Sequence, residues 1–380
     1  MKNKEIKYHY FFDLNEILID RYPAKISKEI LKLHHDSKFV FIYSENYNNG
    51  SPKKIPHDSV SVFMPQITSK KIYKLFELYP PKTVTTIAQR IPDLLIILLS
   101  NRMNIPTSTV QHGIWSNRIK RISIFSAIMI KFSKFKFYLI NSYNLSKALN
   151  LNYVSFLYDC YNFFYRDLKK ISEIRSLNNR QLRANLVFAF DNSWNNYYTK
   201  KFKYKISQLK YIGNPDLLLL NNKNINKVED SVCYICQSLV EDGRYLQSDL
   251  NIFLKMLKNK LTGFKKLYVK LHPRTKMENY KIFQESDKIV FTNDFPLCSH
   301  YVGHYSSLLL VARKVTSNVL IWKLKNHYTP ENFFKYASIV TNSEEKLMSF
   351  INSKHVDNKE INIYKPKNPY KLIAEKLVRL

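Results

Sequence analysis

Short apolar stretches alternate with helix-like stretches along the first 150 residues. Five of them have the composition of strands: "KYHYFFDL", "KFVFIYSE", "TVTTIAQ", "TSTVQHG" and "KFYLINS". Apolar residues with helical spacing follow in "KISKEILKLHH", "PDLLIILLSNRMN" and "YNLSKAL". Strands that alternate with helices predict a parallel sheet with helices on its faces.

The same alternation begins again after residue 227. It runs through "SVCYICQS", the helical "SDLNIFLKMLKN", "KLYVKLHP", "KIVFTND", "SHYVGHYSS" leading into "LLLVARK", and "SNVLIWK". Between the two series, "LKYIGNPDLLLLNNKNINKVED" passes from a strand through a Gly-Asn-Pro turn into Asn-rich sequence that is typical of a linker. A chain of 380 residues also exceeds the usual size of one hydrophobic core.

We therefore predict two α/β domains with a boundary near 216–230. The first spans 1–222 and the second 223–380, and the last helix is a candidate to pack back on the first domain. A cleft is expected between the domains. No repeat of 20–50 residues is visible in the sequence, which argues against solenoids and propellers.

Composition narrows the class of partner. Sixty Lys and Arg against 30 Asp and Glu give a net charge of +30, which favours an anionic partner such as a nucleotide, a membrane surface, an acidic polysaccharide or a nucleic acid. The codon usage of an AT-rich genome would give the same Lys-rich and Asn-rich composition. Four scattered cysteines and a start without an apolar signal-peptide core predict a cytosolic protein.

Several glycines stand just beyond apolar strands, namely Gly113, Gly213, Gly243 and Gly303. Ligands of open α/β sheets bind at the carboxyl ends of the strands, where a missing side chain lets backbone approach a ligand. An ordinary tight turn would also explain each glycine.

Gln111, His112 and Gly113 end the strand-like "TSTV" in the first domain. A neutral imidazole suits removal of a proton from a hydroxyl, so His112 is a candidate general base. Residues 116–140 follow and mix Arg and Lys with Ile, Phe and Met. They are a candidate for peripheral contact with an anionic membrane, or for an amphipathic helix under a solvated basic face.

Two motifs of the second domain predict a phosphate site. "KLHPR" brings together Lys270, His272, Pro273 and Arg274 at a strand end, where charge-assisted hydrogen bonds to phosphate oxygens are favoured. A surface His before Pro is the ordinary alternative.

"GHYSS" follows about thirty residues later, with Gly303 ending a strand and Ser306 and Ser307 opening an apolar helix. A helix start of this kind offers N–H groups and hydroxyls to an anion. Plain serine capping is the alternative.

"ICQSLVEDG" places Glu241 and Asp242 after another strand of the second domain. These residues are a candidate loop for contact with a substrate or nucleotide, or an ordinary solvated loop.

Cys233 and Cys236 form a CxxC within a strand, where side chains alternate between faces, so we expect core residues rather than a zinc site. No Asp-x-Asp, GxGxxG, Walker loop or HExxH is present. We expect neither a bound metal nor a dinucleotide.

The motifs "ICQSLVEDG", "KLHPR" and "GHYSS" resemble those of GT-B glycosyltransferases of bacterial surface polysaccharides that use CMP-activated sugars, chiefly the bacterial sialyltransferases and polysialyltransferases. The resemblance covers roughly residues 230–325. It implies the α/β GT-B fold class, with two Rossmann-like domains facing across a cleft, and inverting transfer without a metal or other cofactor. It also implies that the second domain binds the nucleotide, with His272, Ser306 and Ser307 at the CMP phosphate. The implied donor site comprises Gln237, Ser238, Glu241, Asp242, Gly243, His272, Pro273, Arg274, Gly303, Ser306 and Ser307.

The first domain departs from that pattern. In those families an acidic residue followed by Gly supplies the base there, whereas Gln111-His112-Gly113 stands in the equivalent place. A His-Gly in the first domain, together with the His-Pro and Tyr-Ser-Ser motifs, is similar to teichoic-acid polymerases that use CDP-glycerol. The identity of the donor and of the base is left open by this mixture.

The sequence leads to one main hypothesis and two alternatives. The main one is a cytoplasmic glycosyltransferase, peripheral on the inner membrane face, that moves sialic acid from CMP-sialic acid to an oligosaccharide or lipid-linked glycan of a capsule, lipooligosaccharide or O-antigen. The first alternative is a polyol-phosphate transferase that uses CDP-glycerol, or a transferase that uses another nucleotide sugar. The second is a non-catalytic protein that binds nucleic acid or another polyanion, for which the sequence offers no recognised module.

Overall fold

The computed structural model describes residues 6–45, 51–113, 124–165, 168–221, 228–241, 244–260, 266–272, 274–283, 286–325, 329–353 and 367–380. The chain separates into two compact units. Unit 1 consists of residues 1–112, 131–215 and 367–380, and unit 2 of residues 113–130 and 216–366. These units differ from the predicted domains in placing 113–130 with unit 2 and in starting the main part of unit 2 at Asp216. The last 14 residues belong to unit 1, in line with the expectation that the last helix packs back on the first domain.

Unit 1 is built on a sheet of seven parallel strands in the order β3-β2-β1-β4-β5-β6-β7. The central strands are buried on both faces, which is why they appear in the sequence as nearly continuous apolar runs. The strands are β1 (Tyr8–Phe12), β2 (Lys38–Tyr43), β3 (Val60–Phe63), β4 (Pro81–Ile87), β5 (Thr107–Val110), β6 (Leu186–Ala189) and β7 (Leu209–Tyr211).

Nine α-helices are described in unit 1 or enter it: α1 (Glu16–Arg21), α2 (Pro23–Leu33), α3 (Ser69–Leu78), α4 (Ile91–Arg102), α5 (Ile124–Ala148), α6 (Tyr153–Tyr165), α7 (Leu168–Asn178), α8 (Asn195–Phe202) and α12 (Pro369–Val378). The prediction of a strand at "KFYLINS" was wrong, because these residues lie within α5. Residues four apart there share a face, with Asn141 and Leu145 buried and Tyr143 and Lys147 exposed. The apolar run thus follows a helical period, which its β-rich composition concealed.

The last helix of the described chain, α12, packs against α2 near the start of the sequence. The rings of Tyr22 and Tyr370 have centroids 6.4 Å apart, and Lys25 Nζ lies 5.2 Å from the centre of the Tyr370 ring. Lys82 Nζ donates to the carbonyl of Val378 at 3.2 Å. Unit 1 is therefore closed by contacts between the two ends of the described chain.

Unit 2 repeats the plan with six parallel strands in the order β10-β9-β8-β11-β12-β13. They are β8 (Val228–Ile235), β9 (Lys266–Lys270), β10 (Ile289–Thr292), β11 (Cys298–Gly303), β12 (Val319–Trp322) and β13 (Ile339–Thr341). The accompanying α-helices are α9 (Gln247–Lys260), α10 (Leu308–Val315) and α11 (Glu344–Asn352).

The strand order reverses once in each sheet, between β1 and β4 in unit 1 and between β8 and β11 in unit 2. The loops that leave neighbouring strands on either side of such a point diverge, and this is where open α/β sheets bind ligands. None of the described helices is both long and apolar enough to cross a bilayer.

Candidate functional site

His112 lies just beyond the carboxyl end of β5 in unit 1, where the sequence predicted it. Its side chain is exposed, and its ring meets the ring of Tyr22 edge-on with centroids 5.5 Å apart. Tyr22 is itself buried at the junction of α1 and α2. The imidazole is thus supported on one side by a fixed aromatic ring.

Gln111 is buried and holds two strand ends together. Its N–H donates to the carbonyl of Phe188 in β6, and its Oε1 accepts from the N–H of Phe190 just beyond β6, both at 2.9 Å. Both of these contacts are made to the neighbouring backbone. This suits Gln111 to positioning the residue that follows it.

Gly113 has a φ of +66°, and no atom of the described residues lies within 4 Å of the place where a Cβ would stand. The residue is needed here for its left-handed backbone, which a residue with a Cβ adopts at a cost. The predicted membrane segment, 116–140, begins outside the described residues, and side chains are described only from Phe135 onward.

A buried ionic cluster that the sequence analysis did not single out lies where the strand order of unit 1 reverses. Asp13 follows β1, while Arg90 follows β4 and immediately precedes α4. Arg90 Nη1 lies 3.0 Å from Asp13 Oδ1, and its Nε lies 2.7 Å from Asp93 Oδ2. Asp13 Oδ1 also accepts from the N–H of Leu14, whereas Asp13 Oδ2 is buried and none of the described residues offers it a hydrogen bond. The signal was an Asp directly after the apolar run in "YFFDL".

Burial shifts the ionisation of this cluster. Loss of solvent raises the pKa of Asp13 to about 6 from its ordinary 3.8, even though Arg90 pulls it down. Burial also raises the pKa of Asp93, again against the attraction of Arg90. The carboxyl group of Asp13 therefore changes charge close to neutral pH.

Where the strand order of unit 2 reverses, the uncharged side-chain amide of Gln237 links the loop after β8 to the loop after β11. Gln237, after β8, accepts through Oε1 from the N–H of Tyr305, after β11, at 2.9 Å. Ser306 Oγ accepts from the N–H of Leu308 at 3.2 Å and so caps the first turn of α10. Within the described part of the chain, the N–H groups of Ser306 and Ser307 have no acceptor. The start of α10 thus presents backbone donors at the edge of the sheet.

The two serines are not equivalent. Ser307 Oγ donates its proton to Asp216 Oδ2 at 2.7 Å, so a ligand at this place would meet its backbone N–H rather than its hydroxyl proton. Gly303 ends β11, and a Cβ there would approach Leu309 Cδ2 of α10 to 3.1 Å. Close packing of helix on strand, rather than access for a ligand, therefore explains this glycine.

His272 lies just beyond β9, half-buried. Its Nδ1 accepts from the N–H of Arg274 at 3.2 Å, and its own N–H donates to Thr275 Oγ1 at 3.1 Å. Because Nδ1 accepts, the neutral ring carries its proton on Nε2, as a donor. Arg274 is exposed beside it, and Pro273 lies outside the described residues.

Glu241 fixes the loop that carries His272. Its Oε1 accepts from the N–H of Lys276 and from Asn279 Nδ2, both at 2.9 Å. Asp242 and Gly243, the other members of the predicted acidic loop, lie outside the described residues, and Ser238 is buried. The contacts of Glu241 thus link the loop after β8 to the loop after β9.

The remaining candidates of unit 2 belong to its interior. Cys233 and Cys236 are buried, unpaired thiols, as expected of core residues. His304 is buried with Nδ1 at 2.9 Å from the carbonyl of Trp322 and Nε2 at 3.1 Å from the Tyr234 hydroxyl. Among the described residues, no group of three or more His, Cys, Asp or Glu side chains is arranged to hold a metal ion.

Comparison with known proteins identifies the fold. No family model matches the chain. No curated protein matches its sequence. Solved structures do match. A UDP-N-acetylglucosamine 2-epimerase is 12% identical with a TM-score of 0.56, over 99% of this chain and 95% of the other. The UDP-GlcNAc 2-epimerase from Neisseria meningitidis bound to UDP-GlcNAc is 12% identical with a TM-score of 0.55, over 98% and 100%.

A third similar structure is the glycotransferase of kitacinnamycin, at 9% identity and a TM-score of 0.53 over 98% of this chain and 99% of the other. At such low identities the likeness concerns the fold. Together with the two parallel sheets, it establishes the α/β GT-B architecture of two Rossmann-like units. The predicted fold class is thereby confirmed.

Proposed function

We propose that this protein is a glycosyltransferase that takes a sugar from a nucleotide-activated donor held by unit 2 and transfers it to a hydroxyl group of a surface glycan. The observation that carries the proposal is the reversal point of unit 2. There the N–H groups of Ser306 and Ser307 open α10 with no acceptor among the described residues, beside the hydrogen bond between Gln237 and Tyr305. Backbone donors at a helix start, at this point of a parallel sheet, favour a phosphate.

The arrangement of the other candidates supports a nucleotide of ordinary size. His272 lies beyond β9, two strands away from β11 in the order β9-β8-β11. Two strand spacings correspond to about 10 Å. A nucleotide phosphate at α10 would leave room for His272 and Arg274 to contact a second part of the donor.

In this proposal His112 of unit 1 takes the proton of the acceptor hydroxyl as its oxygen attacks the anomeric carbon. The bond from that carbon to the phosphate oxygen breaks, and its electrons leave with the nucleotide. Donors fixed at the phosphate stabilise the charge that develops there, which is the largest contribution that preorganised groups usually make. The transfer proceeds with inversion and uses no metal.

CMP-sialic acid is the leading donor because the motifs around Gln237, His272 and Ser306 resemble those of CMP-dependent enzymes. CDP-glycerol is the second candidate, favoured by the position of His112, since a His-Gly in this place resembles the polyol-phosphate transferases. UDP-GlcNAc is a third, because two structures of the same fold are UDP-GlcNAc 2-epimerases. The three donors carry different nucleotides, namely CMP, CDP and UDP, although transfer of glycerol phosphate from CDP-glycerol releases CMP, as transfer of sialic acid does.

Nucleotide binding is the first experiment. Thermal unfolding and calorimetry with CMP, CDP, UMP, UDP, GDP and UDP-GlcNAc at constant ionic strength should show that nucleotides of one base stabilise the protein. A ligand at a hundred times its Kd adds about 2.7 kcal/mol to the free energy of unfolding. We expect CMP to bind best, and His272→Ala to weaken it at least tenfold. His57→Ala, at an exposed histidine of unit 1, is the matched control and should leave binding unchanged.

Each other outcome changes the assignment. Preference for CDP over CMP would move the donor to CDP-glycerol, and preference for a uridine nucleotide would move it to a UDP-sugar. An absence of binding by all six compounds would contradict the proposed enzyme activity itself.

A further inference from the structure

One helix of unit 1 has its polar and apolar sides reversed. The outer side of α6 consists of Tyr153, Val154, Leu157, Tyr158 and Tyr161, of which Tyr153 and Val154 are 67% and 69% exposed. Their spacing places them on one continuous face of the helix. A helix that borders water ordinarily shows the opposite pattern, with apolar residues inward and polar residues outward.

The two side chains of α6 that are buried among its described residues, Asp159 and Asn162, are polar. Asp159, its one acidic residue, is buried, accepts from Ser142 Oγ at 2.8 Å and pairs with Arg175 Nη2 at 2.8 Å. Asn162 is also fully buried, and its Oδ1 has no hydrogen-bond partner among the described residues. Unpaired buried polar atoms are costly, so this orientation is not explained by the stability of the helix in water.

The helices that pack against α6 continue the pattern. Asn141 and Ser146 of α5 and Ser176 of α7 are buried, and each has a side-chain oxygen for which the described part of the chain offers no hydrogen-bond partner. On the outside, the ring of Phe156 lies 5.7 Å from that of Tyr143 and 5.9 Å from that of Tyr153. These contacts join the outer sides of α5 and α6 into one surface. This α5–α6 face comprises Tyr143, Tyr153, Val154, Leu157, Tyr158 and Tyr161.

Among the described side chains of α5 and α6, the exposed charges have one sign. Residues 114–165 contain seven basic side chains and a single acidic one, the buried Asp159. Lys136 and Lys147 are exposed on α5 and lie on the same side as Tyr143, at spacings of seven and four residues. A surface that combines tyrosines, aliphatic side chains and lysines without exposed carboxylates is complementary to an anionic apolar boundary.

We propose that the α5–α6 face docks on the surface of a phospholipid bilayer that contains anionic lipids. The tyrosine and leucine side chains enter the interfacial layer, where aromatic rings with a polar end are favoured, and Lys136 and Lys147 reach the headgroup phosphates. A protein partner or a second copy of the chain would cover the same apolar side chains, but the excess of basic residues favours lipid. The inference does not depend on the activity proposed above.

Vesicle co-sedimentation of the full chain tests whether the α5–α6 face docks on anionic bilayers. We expect binding to vesicles of phosphatidylcholine with phosphatidylglycerol, and much weaker binding to phosphatidylcholine alone. Leu157→Gln with Tyr161→Gln should reduce the partition coefficient at least tenfold. Lys136→Gln with Lys147→Gln should reduce it by about fivefold per lysine on the anionic vesicles and leave binding to neutral vesicles unchanged.

Leu78→Gln with Ile252→Gln is the matched control, since both residues are exposed apolar side chains outside the face. It should bind vesicles as the unchanged protein does, and circular dichroism should show that every variant is folded. If one variant pair fails to fold, the other still tests the same face.

The proposal is overturned if the unchanged protein does not bind anionic vesicles. It is also overturned if both variant pairs bind as well as the control, or if the control loses as much as they do. A dimer that Leu157→Gln with Tyr161→Gln dissociates, without any vesicle binding, would assign the face to a second copy of the chain instead.

Discussion

Each unit has one point in its sheet where the strand order reverses, and the two units occupy that point with different side chains. In unit 1 the loops after β1 and β4 are joined by the ion pair of Asp13 and Arg90. In unit 2 the loops after β8 and β11 are joined by the neutral hydrogen bond between Gln237 and Tyr305. The first point is filled by the side chains of the protein itself, whereas at the second, in the part of the chain that the structure describes, backbone N–H groups have no acceptors.

Under the proposed function, this difference assigns binding of the donor phosphate to unit 2 and deprotonation of the acceptor hydroxyl to unit 1. A phosphate brought to the reversal point of unit 1 would meet two buried carboxyl groups, which repel it or must be protonated. The same phosphate at unit 2 would meet donors. The candidate base, His112, stands one strand away from the ionic cluster, at β5, on a loop held by Gln111.

Substitution of His112 should change activity more than any other substitution considered for the two units. His112→Asn should lower kcat by about 10²- to 10⁴-fold, because it removes the proposed general base, and should leave the Kd for CMP unchanged. His272→Asn should do the reverse, raising the Kd for CMP with a smaller loss of kcat. Steady-state kinetics and calorimetry measure both quantities. A parallel loss of nucleotide binding in His112→Asn would contradict the division of tasks between the units.

The second effect concerns the charge of Asp13. Its folded pKa of about 6 lies above its ordinary value of 3.8, so the stability it contributes is present below about pH 4 and is lost as the pH rises through 6. Two pKa units correspond to roughly 3 kcal/mol. The free energy of unfolding of the protein minus that of Asp13→Asn should therefore fall by roughly 3 kcal/mol between pH 4 and pH 7. Urea denaturation of both proteins at each pH measures this difference.

Asp58 provides the control for that experiment. Its carboxyl group is exposed, and hydrogen bonds from His57 and Lys38 lower its pKa, so its contribution has the opposite sign. Asp58→Asn should show only a weak dependence, with stability lost as the pH falls. An equal slope for both variants would mean that burial does not control Asp13.

The two glutamines give the third effect. Gln111→Leu and Gln237→Leu each leave one backbone N–H without its acceptor, at Phe190 and Tyr305 respectively, which should cost about 1–3 kcal/mol of stability. Only Gln237→Leu should also weaken CMP binding, because it frees the loop that carries Ser306. Thermal unfolding with and without CMP separates the two effects, and equal losses of binding in both variants would remove the distinction.

The smallest effect concerns Gly113. Gly113→Ala should cost about 1–2 kcal/mol, since the site has space but a φ of +66°. Gly113→Asn, with a side chain that tolerates this backbone better, should cost less than Gly113→Ala. Urea denaturation of both variants measures the order, and the reverse order would contradict a conformational role for the glycine.

The fold was predictable because both sheets are parallel and their central strands are buried on both faces. The long apolar run around β2 and the one around β8 carry that signal in the sequence directly. The strands β3 and β6 were not singled out, although β5, β10 and β12 are equally short and were predicted. The strand predicted at "KFYLINS" failed because the helical period of α5 is mixed with β-rich residue types.

The candidate site was predictable only where a motif is local. His112, His272 and Ser306 stand at strand or helix ends that the sequence marks, and the structure places them there. The cluster of Asp13, Arg90 and Asp93 depends on the pairing of β1 with β4, more than 60 residues apart in sequence. The bond of Ser307 to Asp216 spans 91 residues and likewise has no local signal.

The return of α12 to α2 has a consequence for the synthesis of the protein. The two helices lie roughly 340 residues apart in the chain, and all of 216–366, the larger part of unit 2, is made between them. At a translation rate of about 5–20 residues per second, the apolar side of α2 waits some tens of seconds for its partner. The nascent chain therefore carries an uncovered surface around Tyr22 and Lys25 while unit 2 is already emerging, and this surface is where a chaperone would be needed most.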